Sequence, residues 1–217
     1  MRRSRFLLAS MLTLLVGVPA TARAQFTVYT SEAAWLAAVS NSGTDTFTGF
    51  STTDATASPI NRTAGAYGYT ASATGYTFVG EGTADDPWLS TNFASDVITF
   101  NNFGPTVRAI GGNFFTSTFS GTYAPGDIML SFVNAGGTSS HTIIGSTVGS
   151  FVGIVSTGGA ISSFMVNSVQ PSVGYLWPTV DNFSLAEAPS TTVPEPSTYV
   201  MVAAGLAALA LRRRRQA

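Results

Sequence analysis

The 217-residue chain contains no cysteine, no lysine and a single histidine, His141. Without cysteine the protein forms no disulfide bond and performs no thiol chemistry, so its stability has to come from a hydrophobic core, with or without a bound metal. Structural zinc sites draw on several Cys and His side chains, which this chain lacks. A Ser-His-Asp triad would have to use His141, and no G-x-S-x-G segment is present to position a serine. These absences weigh against thiol, zinc and serine-hydrolase chemistry.

The N-terminus has the three regions of a secretory signal peptide. They are the basic residues Arg2, Arg3 and Arg5, the apolar stretch Phe6–Val18, and the small-residue segment Ala22-Arg23-Ala24 before Gln25. We expect residues 1–24 to guide the chain to the Sec translocon. We expect signal peptidase to cut after Ala24, with Ala22 as the other small residue of its site, so that the mature chain begins at Gln25.

The last 25 residues combine a proline motif, a short apolar stretch and an arginine cluster. They read Val193-Pro194-Glu195-Pro196-Ser197, then Tyr199–Leu211, then Arg212, Arg213, Arg214 and Arg215. The prolines oppose a helix, so a helix is expected to begin close to Ser197. As a helix the apolar stretch spans only ~20 Å, against roughly 30 Å for a bilayer core. A buried helix is therefore the alternative, but the lack of any polar face and the arginines favour a membrane segment at residues 198–211.

This order of Pro-Glu-Pro, an apolar segment containing Gly205 and terminal arginines resembles the PEP-CTERM sorting signal of Gram-negative bacteria. The resemblance implies that residues 194–217 are recognised by an exosortase in the inner membrane and cleaved near Pro194–Pro196. It further implies that the body is transferred to the cell surface or the outside, and that the producer makes exopolysaccharide and forms biofilm.

The part of the chain between the signal peptide (the leader) and the sorting signal (the tail), residues 25–193, is strongly acidic. Only two of the ten arginines, Arg62 and Arg108, lie there, together with ten of the 11 acidic residues, so this part carries a net charge of −8. Such a surface repels phosphate backbones and anionic lipids, and nucleic-acid binding is not expected. Divalent cations remain candidate partners.

The body, residues 25–186, is rich in Gly, Ser, Thr, Val and Phe, a composition typical of strands and turns. We predict one short helix near Ser31–Ser40, with Ser31 as N-cap, a loop over Ser51–Gly65 and a flexible linker at 187–193. The predicted strands are Asp45–Phe50, Tyr67–Ala71, Tyr76–Val79, Asp96–Asn101, Val107–Phe115, Asp127–Val133, His141–Gly145, Phe151–Ser156, Ile161–Val169 and Val180–Ala186. Regularly spaced turn signals favour an all-β antiparallel sandwich of jelly-roll type. A β-helix is the rival, although no fixed repeat requires it.

Three segments of the body, Ala109–Phe115, Phe151–Ser156 and Asp181–Ser184, resemble a recurrent group of PEP-CTERM ectodomains. Those ectodomains are similar to carbohydrate-binding-module and galactose-binding-like jelly rolls, which often hold a structural calcium where the first and last strands meet. The matching positions here are Asp45, Asp181 and Asn182. The alternative is that Asp181 and Asn182 form a bulge whose side chains bind the backbone.

Aromatic side chains at strand ends offer sugars a flat apolar face. Trp88, Tyr175 and Trp177 are the candidate ligand-binding residues, with core or rim packing as the alternative for each. The acids Glu81, Asp85 and Asp86 precede Trp88 and could supply the paired carboxylates of glycoside hydrolysis, although a solvated acidic turn is the simpler interpretation.

We therefore expect a non-enzymatic, exported cell-surface or matrix protein whose candidate ligand is exopolysaccharide. Two alternatives remain open. One is a purely structural or adhesive biofilm component without a defined ligand, and the other is a glycan-active enzyme.

Overall fold

The structure is a computed structural model, which describes residues 25–189 and 201–206. Residues 25–189 form one helix, α1 (Glu32–Leu36), and 14 strands. The strands are β1 (Phe26–Tyr29), β2 (Ser40–Asp45), β3 (Thr56–Ala57), β4 (Ile60–Ala64), β5 (Tyr67–Ala73), β6 (Thr77–Gly82), β7 (Pro87–Thr91), β8 (Ile98–Asn101), β9 (Ala109–Ser117), β10 (Gly126–Asn134), β11 (Gly137–Ser146), β12 (Phe151–Ser156), β13 (Ile161–Val169) and β14 (Trp177–Glu187). The prediction of an all-β protein with one short N-terminal helix is confirmed.

The strands form two antiparallel sheets. The eight-stranded sheet has the order β1-β12-β9-β14-β7-β6-β3, with β2 pairing to β14, and the six-stranded sheet has the order β11-β10-β13-β8-β5-β4. The long strand β14 pairs with β9 on one side and with both β7 and β2 on the other. This arrangement confirms the antiparallel sandwich and is consistent with a jelly roll.

The alternation of side chains along each strand builds the core between the sheets. In β10 the side chains of Ile128, Leu130 and Phe132 are buried, whereas Met129 between them is partly exposed. The rings of Phe100 and Phe183, from opposite sheets, stack with centroids 4.1 Å apart. The two sheets therefore pack directly on each other through aromatic rings.

The predicted strand Asp45–Phe50 is wrong, because β2 ends at Asp45. The Asp45 carboxylate accepts the amide of Phe47 at 2.8 Å, and Phe47 has a φ of 54°. The amide of Phe50 then bonds to the carbonyl of Phe47 and closes a turn. A side chain that binds the backbone two residues on thus ends the strand.

The predicted loop Ser51–Gly65 is also wrong, since it contains β3 and β4. Both strands lie at sheet edges and carry mostly polar side chains, so their apolar periodicity is weak.

The helix is shorter than predicted, because the chain enters β2 at Ser40, which pairs with Glu187. Two further strands, β1 and β7, had no counterpart among the predicted ones.

The predicted terminal segments lie almost wholly outside the described residues. The signal-peptide helix at 1–24 is not among them, and of the membrane segment at 198–211 only residues 201–206 are, as a helix. Within the described parts of the chain, no helix is both long enough and apolar enough to cross a membrane.

Candidate functional site

Four aromatic side chains, three of them exposed and one half-buried, surround a groove at one end of the eight-stranded sheet. The groove has a volume of about 450 Å³ and is lined by Phe93, Phe119, Tyr175 and Trp177, with Asn92, Ala94, Ser95 and Gln170 between them. Phe119 is 84% exposed and Tyr175 is 73% exposed. We call this cavity the aromatic groove. The structure thus brings the predicted residues Tyr175 and Trp177 together and adds two phenylalanines from separate loops.

Trp177 forms a fixed wall of the aromatic groove. It is the first residue of β14, and its indole N–H donates to the carbonyl of Asn92 at 3.3 Å. Its ring contacts that of Phe119 with centroids 5.8 Å apart and the planes tilted by 59°. The ring is therefore held in place before any ligand arrives, which limits the entropy lost on binding.

Gln170 holds the loop that carries Tyr175. Its amide nitrogen lies 2.9 Å from the carbonyl of Ala94 and 2.7 Å from that of Leu176, and its amide oxygen accepts the backbone N–H of Leu176 at 3.2 Å. The side chain thus links the two sides of the loop between β13 and β14. Gln170 is a positioning residue for Tyr175 that sequence reasoning missed, since nothing in its local pattern marks it.

A second cavity of about 280 Å³ adjoins the aromatic groove and shares Asn92, Phe119 and Trp177 with it. We call it the polar cleft, because Glu81, Thr52 and Ser120 also line it. Among the described residues that line these two cavities, Glu81 is the only acid. The two cavities therefore meet at the ring of Trp177.

Glu81 belongs to a buried cluster of hydroxyl groups on the outer face of the sheet. The hydroxyl of Thr179 donates to its carboxylate at 3.2 Å and lies 2.8 Å from the hydroxyl of Ser117. Burial raises the pKa of Glu81, and hydrogen bonds from Ser117, Ser90 and Thr179 partly offset that rise. The carboxyl group therefore retains its proton to higher pH than an exposed glutamate does.

Trp88 lies apart from the aromatic groove. It is half-buried, and its ring meets that of Phe115 edge-on with centroids 5.0 Å apart. The acids that precede it are also separated, since Glu81 is buried in β6 while Asp85 and Asp86 are exposed in the turn before β7. Glu81, Asp85 and Asp86 are close in sequence but therefore do not form one cluster in the structure.

The predicted calcium ligand Asp45 is occupied by other partners. Its carboxylate binds Arg62 through two bonds of 2.6 and 2.8 Å and accepts the hydroxyl of Tyr69 at 2.7 Å. Asp45 pairs in register with the core residue Phe183, so it faces the interior of the sandwich. An arginine thus supplies the positive charge that calcium was expected to supply.

Asp181 and Asn182 face away from Asp45. They follow the core residue Val180 and form a bulge, in which Asn182 has a φ of 52°. The carboxylate of Asp181 accepts the backbone N–H of Asn182 at 2.7 Å and its amide N–H at 2.8 Å. The alternative of a bulge bound to its own side chains is therefore the one observed.

The three predicted calcium ligands, Asp45, Asp181 and Asn182, do not form one site, and no group of three acidic or histidine side chains suited to a metal occurs among the described residues. Calcium binding stays a prediction without an assigned site.

Asp181 gives a testable dependence of stability on pH. Burial raises its pKa to about 6 from an ordinary 3.8; the backbone N–H of Asn182 opposes the rise, and the charge of Asp86 adds to it. The folded protein therefore holds this proton more tightly than the unfolded chain. The stability that it contributes is complete below about pH 4 and is lost as the pH rises through about 6.

We expect Asp181→Asn to raise the free energy of unfolding at neutral pH by about 1–2 kcal/mol, because each pKa unit corresponds to about 1.4 kcal/mol and solvent screens part of the full effect. Urea denaturation over this pH range measures the effect. Asp85→Asn, which removes an exposed acid, serves as the control and should leave the pH profile unchanged. Parallel profiles for the native protein and Asp181→Asn would contradict the assignment.

The sequence-predicted processing residues are described only in part. Ala22, Ala24, the motif Val193–Ser197 and Arg212–Arg215 lie outside the described residues. Gln25, the expected first mature residue, docks on the sandwich, where its amide donates to the carbonyl of Gly136 at 2.7 Å and its carbonyl accepts the amide of Thr157 at 2.8 Å. Residue 25 is thus already part of the folded body.

Comparison with known proteins identifies the tail. A family model described as the PEP-CTERM protein-sorting motif matches residues 192–215. Comparison with curated proteins and with solved structures gives no match. The resemblance of the body to carbohydrate-binding jelly rolls accordingly stays a prediction. The chain therefore carries a PEP-CTERM sorting motif, which makes it an exported substrate of an exosortase.

Proposed function

We propose that this protein is a non-enzymatic component of the cell surface or extracellular matrix that binds exopolysaccharide in the aromatic groove. The single observation that carries the proposal is the convergence of four aromatic side chains, three of them exposed, on one cavity of about 450 Å³. Exposed rings of this kind cost the free protein stability or solubility unless a ligand uses them, and sugars present matching apolar faces.

The charge of the body restricts the class of glycan. With a net charge of −8 between leader and tail, the protein repels polymers rich in uronate or sulfate. The groove itself presents amides, hydroxyls and rings rather than cations. The proposed ligand is therefore a neutral polysaccharide, exported by the same cell and met outside it.

Binding is tested by affinity electrophoresis of residues 25–189 in gels that contain the producer's own exopolysaccharide. We expect Tyr175→Ala to weaken binding about tenfold or more, because burial of an aromatic ring contributes about 1.5–3 kcal/mol. Tyr175 is 73% exposed, so its loss leaves the fold intact. Trp177→Ala should act in the same direction.

The matched control is Tyr76→Asn. Tyr76 is 78% exposed, lies outside the groove and has a φ of 62°, which asparagine tolerates. This variant should bind like the native protein. Equal retardation of the native protein and Tyr175→Ala would remove the groove as the site, and no retardation of the native protein would overturn polysaccharide binding itself.

A further inference from the structure

One long stretch of the body carries no formal charge. Between Asp127 and Asp181 the sequence contains no Asp, Glu, Arg or Lys, although the chain from leader to tail holds ten acids. This stretch forms β11, β12, β13 and nearly all of β10. Because β11, β10 and β13 are neighbours at one end of the six-stranded sheet, that end is neutral apart from Asp127 at the start of β10, whose carboxylate accepts the amide of Gly145 on β11 at 2.8 Å.

The strand at this neutral end is an open edge. β11 has ten residues and pairs only with β10, so the N–H and C=O groups on its other side have no strand partner. Apart from His141, the side chains along it are small or apolar, and it contains no proline. Natural sheets usually protect such an edge with charges, proline or a short strand, and β11 has none of these devices.

The other edges of the described sheets are protected. β1 has four residues and lies beside α1, and β3 has only two. β4 follows Pro59 and carries Arg62. At the remaining edge β2 lies so close to the end of β4 that a Cβ atom on Gly43 would strike the carbonyl of Ala64. The lack of protection is thus particular to β11.

We propose that β11 is a self-association edge, at which two copies of this protein pair antiparallel and join their six-stranded sheets into one. Two copies of an acidic protein repel each other over most of their surfaces, and the neutral end is where they can approach. The side chain of Ile144, which is 75% exposed on β11 itself, adds apolar area to the contact, and Met129 lies one strand behind it on β10.

Identical strands restrict the register of this pairing. The N–H and C=O groups that point away from β10 belong to every second residue of β11, and both copies expose the same set. The two strands can therefore pair only when one residue lies directly opposite its own copy, and the two-fold axis passes between those two copies. The regular part of β11 runs from Gly137 to Ile143 in its pairing with β10. Near-complete overlap therefore places the axis at Ser140, His141 or Thr142.

The first test is sedimentation velocity of residues 25–189, which contain both hydrophobic core clusters. We expect a concentration-dependent dimer that Thr142→Asp weakens about tenfold or more, since like charges close to each other across paired strands repel. Thr63→Asp makes the same change at an exposed residue of β4, the opposite edge of the same sheet, and should leave the dimer intact.

The second test uses the absence of cysteine from the chain. Single substitutions Ser140→Cys, His141→Cys and Thr142→Cys are oxidised separately, and the residue on the axis should form a disulfide-linked dimer, because opposed Cα atoms lie within the range that a disulfide spans. Thr63→Cys should stay monomeric. A protein that remains monomeric at every concentration would overturn the proposal, as would a dimer that resists Thr142→Asp and is linked at none of the three positions.

Discussion

Arg62→Met is expected to lower the free energy of unfolding by about 3–5 kcal/mol, the range measured when one partner of a buried ion pair is removed. Arg62 binds Asp45, which is only 6% exposed, through a bond of 2.6 Å and a second of 2.8 Å. Its guanidinium group also lies over the ring of Phe47, 5.3 Å from the centroid. Without Arg62 the Asp45 carboxylate stays buried without a cation, which is the main cost.

Thermal and urea denaturation of residues 25–189 measure this loss. Arg108→Met is the matched control, because Arg108 is the other arginine of the body and is exposed; its effect should stay within about 0.5 kcal/mol. Adding Asp45→Asn to Arg62→Met should restore part of the stability, since asparagine carries no charge, can still accept the amide of Phe47 through its oxygen, and can donate its N–H to the hydroxyl oxygen of Tyr69. A double variant less stable than Arg62→Met would show that the ion pair is not the origin of the effect.

Trp35→Ala is expected to cost a similar amount, about 3–5 kcal/mol, through loss of apolar contact and the cavity left behind. Trp35 is 1% exposed and anchors α1 to the eight-stranded sheet. Its indole N–H donates to the carbonyl of Ile154 at 3.3 Å, and its ring lies 5.9 Å from that of Phe151. Leu36→Ala is the control on the same helix, because Leu36 is 46% exposed, and it should cost far less.

Gly153 makes the Trp35 prediction specific to one contact. A Cβ atom on Gly153 would clash with the indole ring of Trp35, so Gly153→Ala should be destabilising by itself. In the double variant the added methyl group enters the space that the indole vacates. The double variant should therefore be more stable than the sum of the two single effects implies, and strict additivity in chemical denaturation would contradict the packing described here.

Local sequence signals predicted the parts of the fold that depend on neighbouring residues. The predicted strand Asp127–Val133 matches β10 to within one residue at each end, and Ser31 correctly marks the start of α1, although its side chain makes no capping hydrogen bond. The same reasoning failed at Asp45, where a turn replaces the expected strand, because the side chain of Asp45 binds the backbone of Phe47. It also failed at β3 and β4, since polar edge strands owe their structure to pairing with β6 and β5 rather than to their own pattern.

The residues of the candidate site likewise fall into those that the sequence could indicate and those that only the fold brings together. Tyr175 and Trp177 could be selected from sequence because they are aromatic, lie close together at a strand end, and are flanked by Gly174 and Pro178. Phe93 and Phe119 could not, because they come from two other loops that meet Trp177 only in the folded sheet. The grouping of Trp88 with these residues, and of Asp45 with Asp181, failed for the same reason. Trp88 lies apart from the aromatic groove, and Asp181 faces away from Asp45 although Asp45 pairs with Phe183 only two residues further along β14.

The sequence by itself determined the route of this protein and the chemistry that it lacks: a PEP-CTERM motif at residues 192–215, no cysteine, no lysine and an acidic body. Composition and net charge are totals over the sequence, and the sorting motif is one contiguous segment, so none of them depends on how the chain folds. Only the tertiary structure decided that Arg62 neutralises Asp45, that four rings share one groove, and that the uncharged stretch supplies the open edge strand β11. These depend on which strands pair and in what register, and register is set by the packing of the whole core rather than by any local segment.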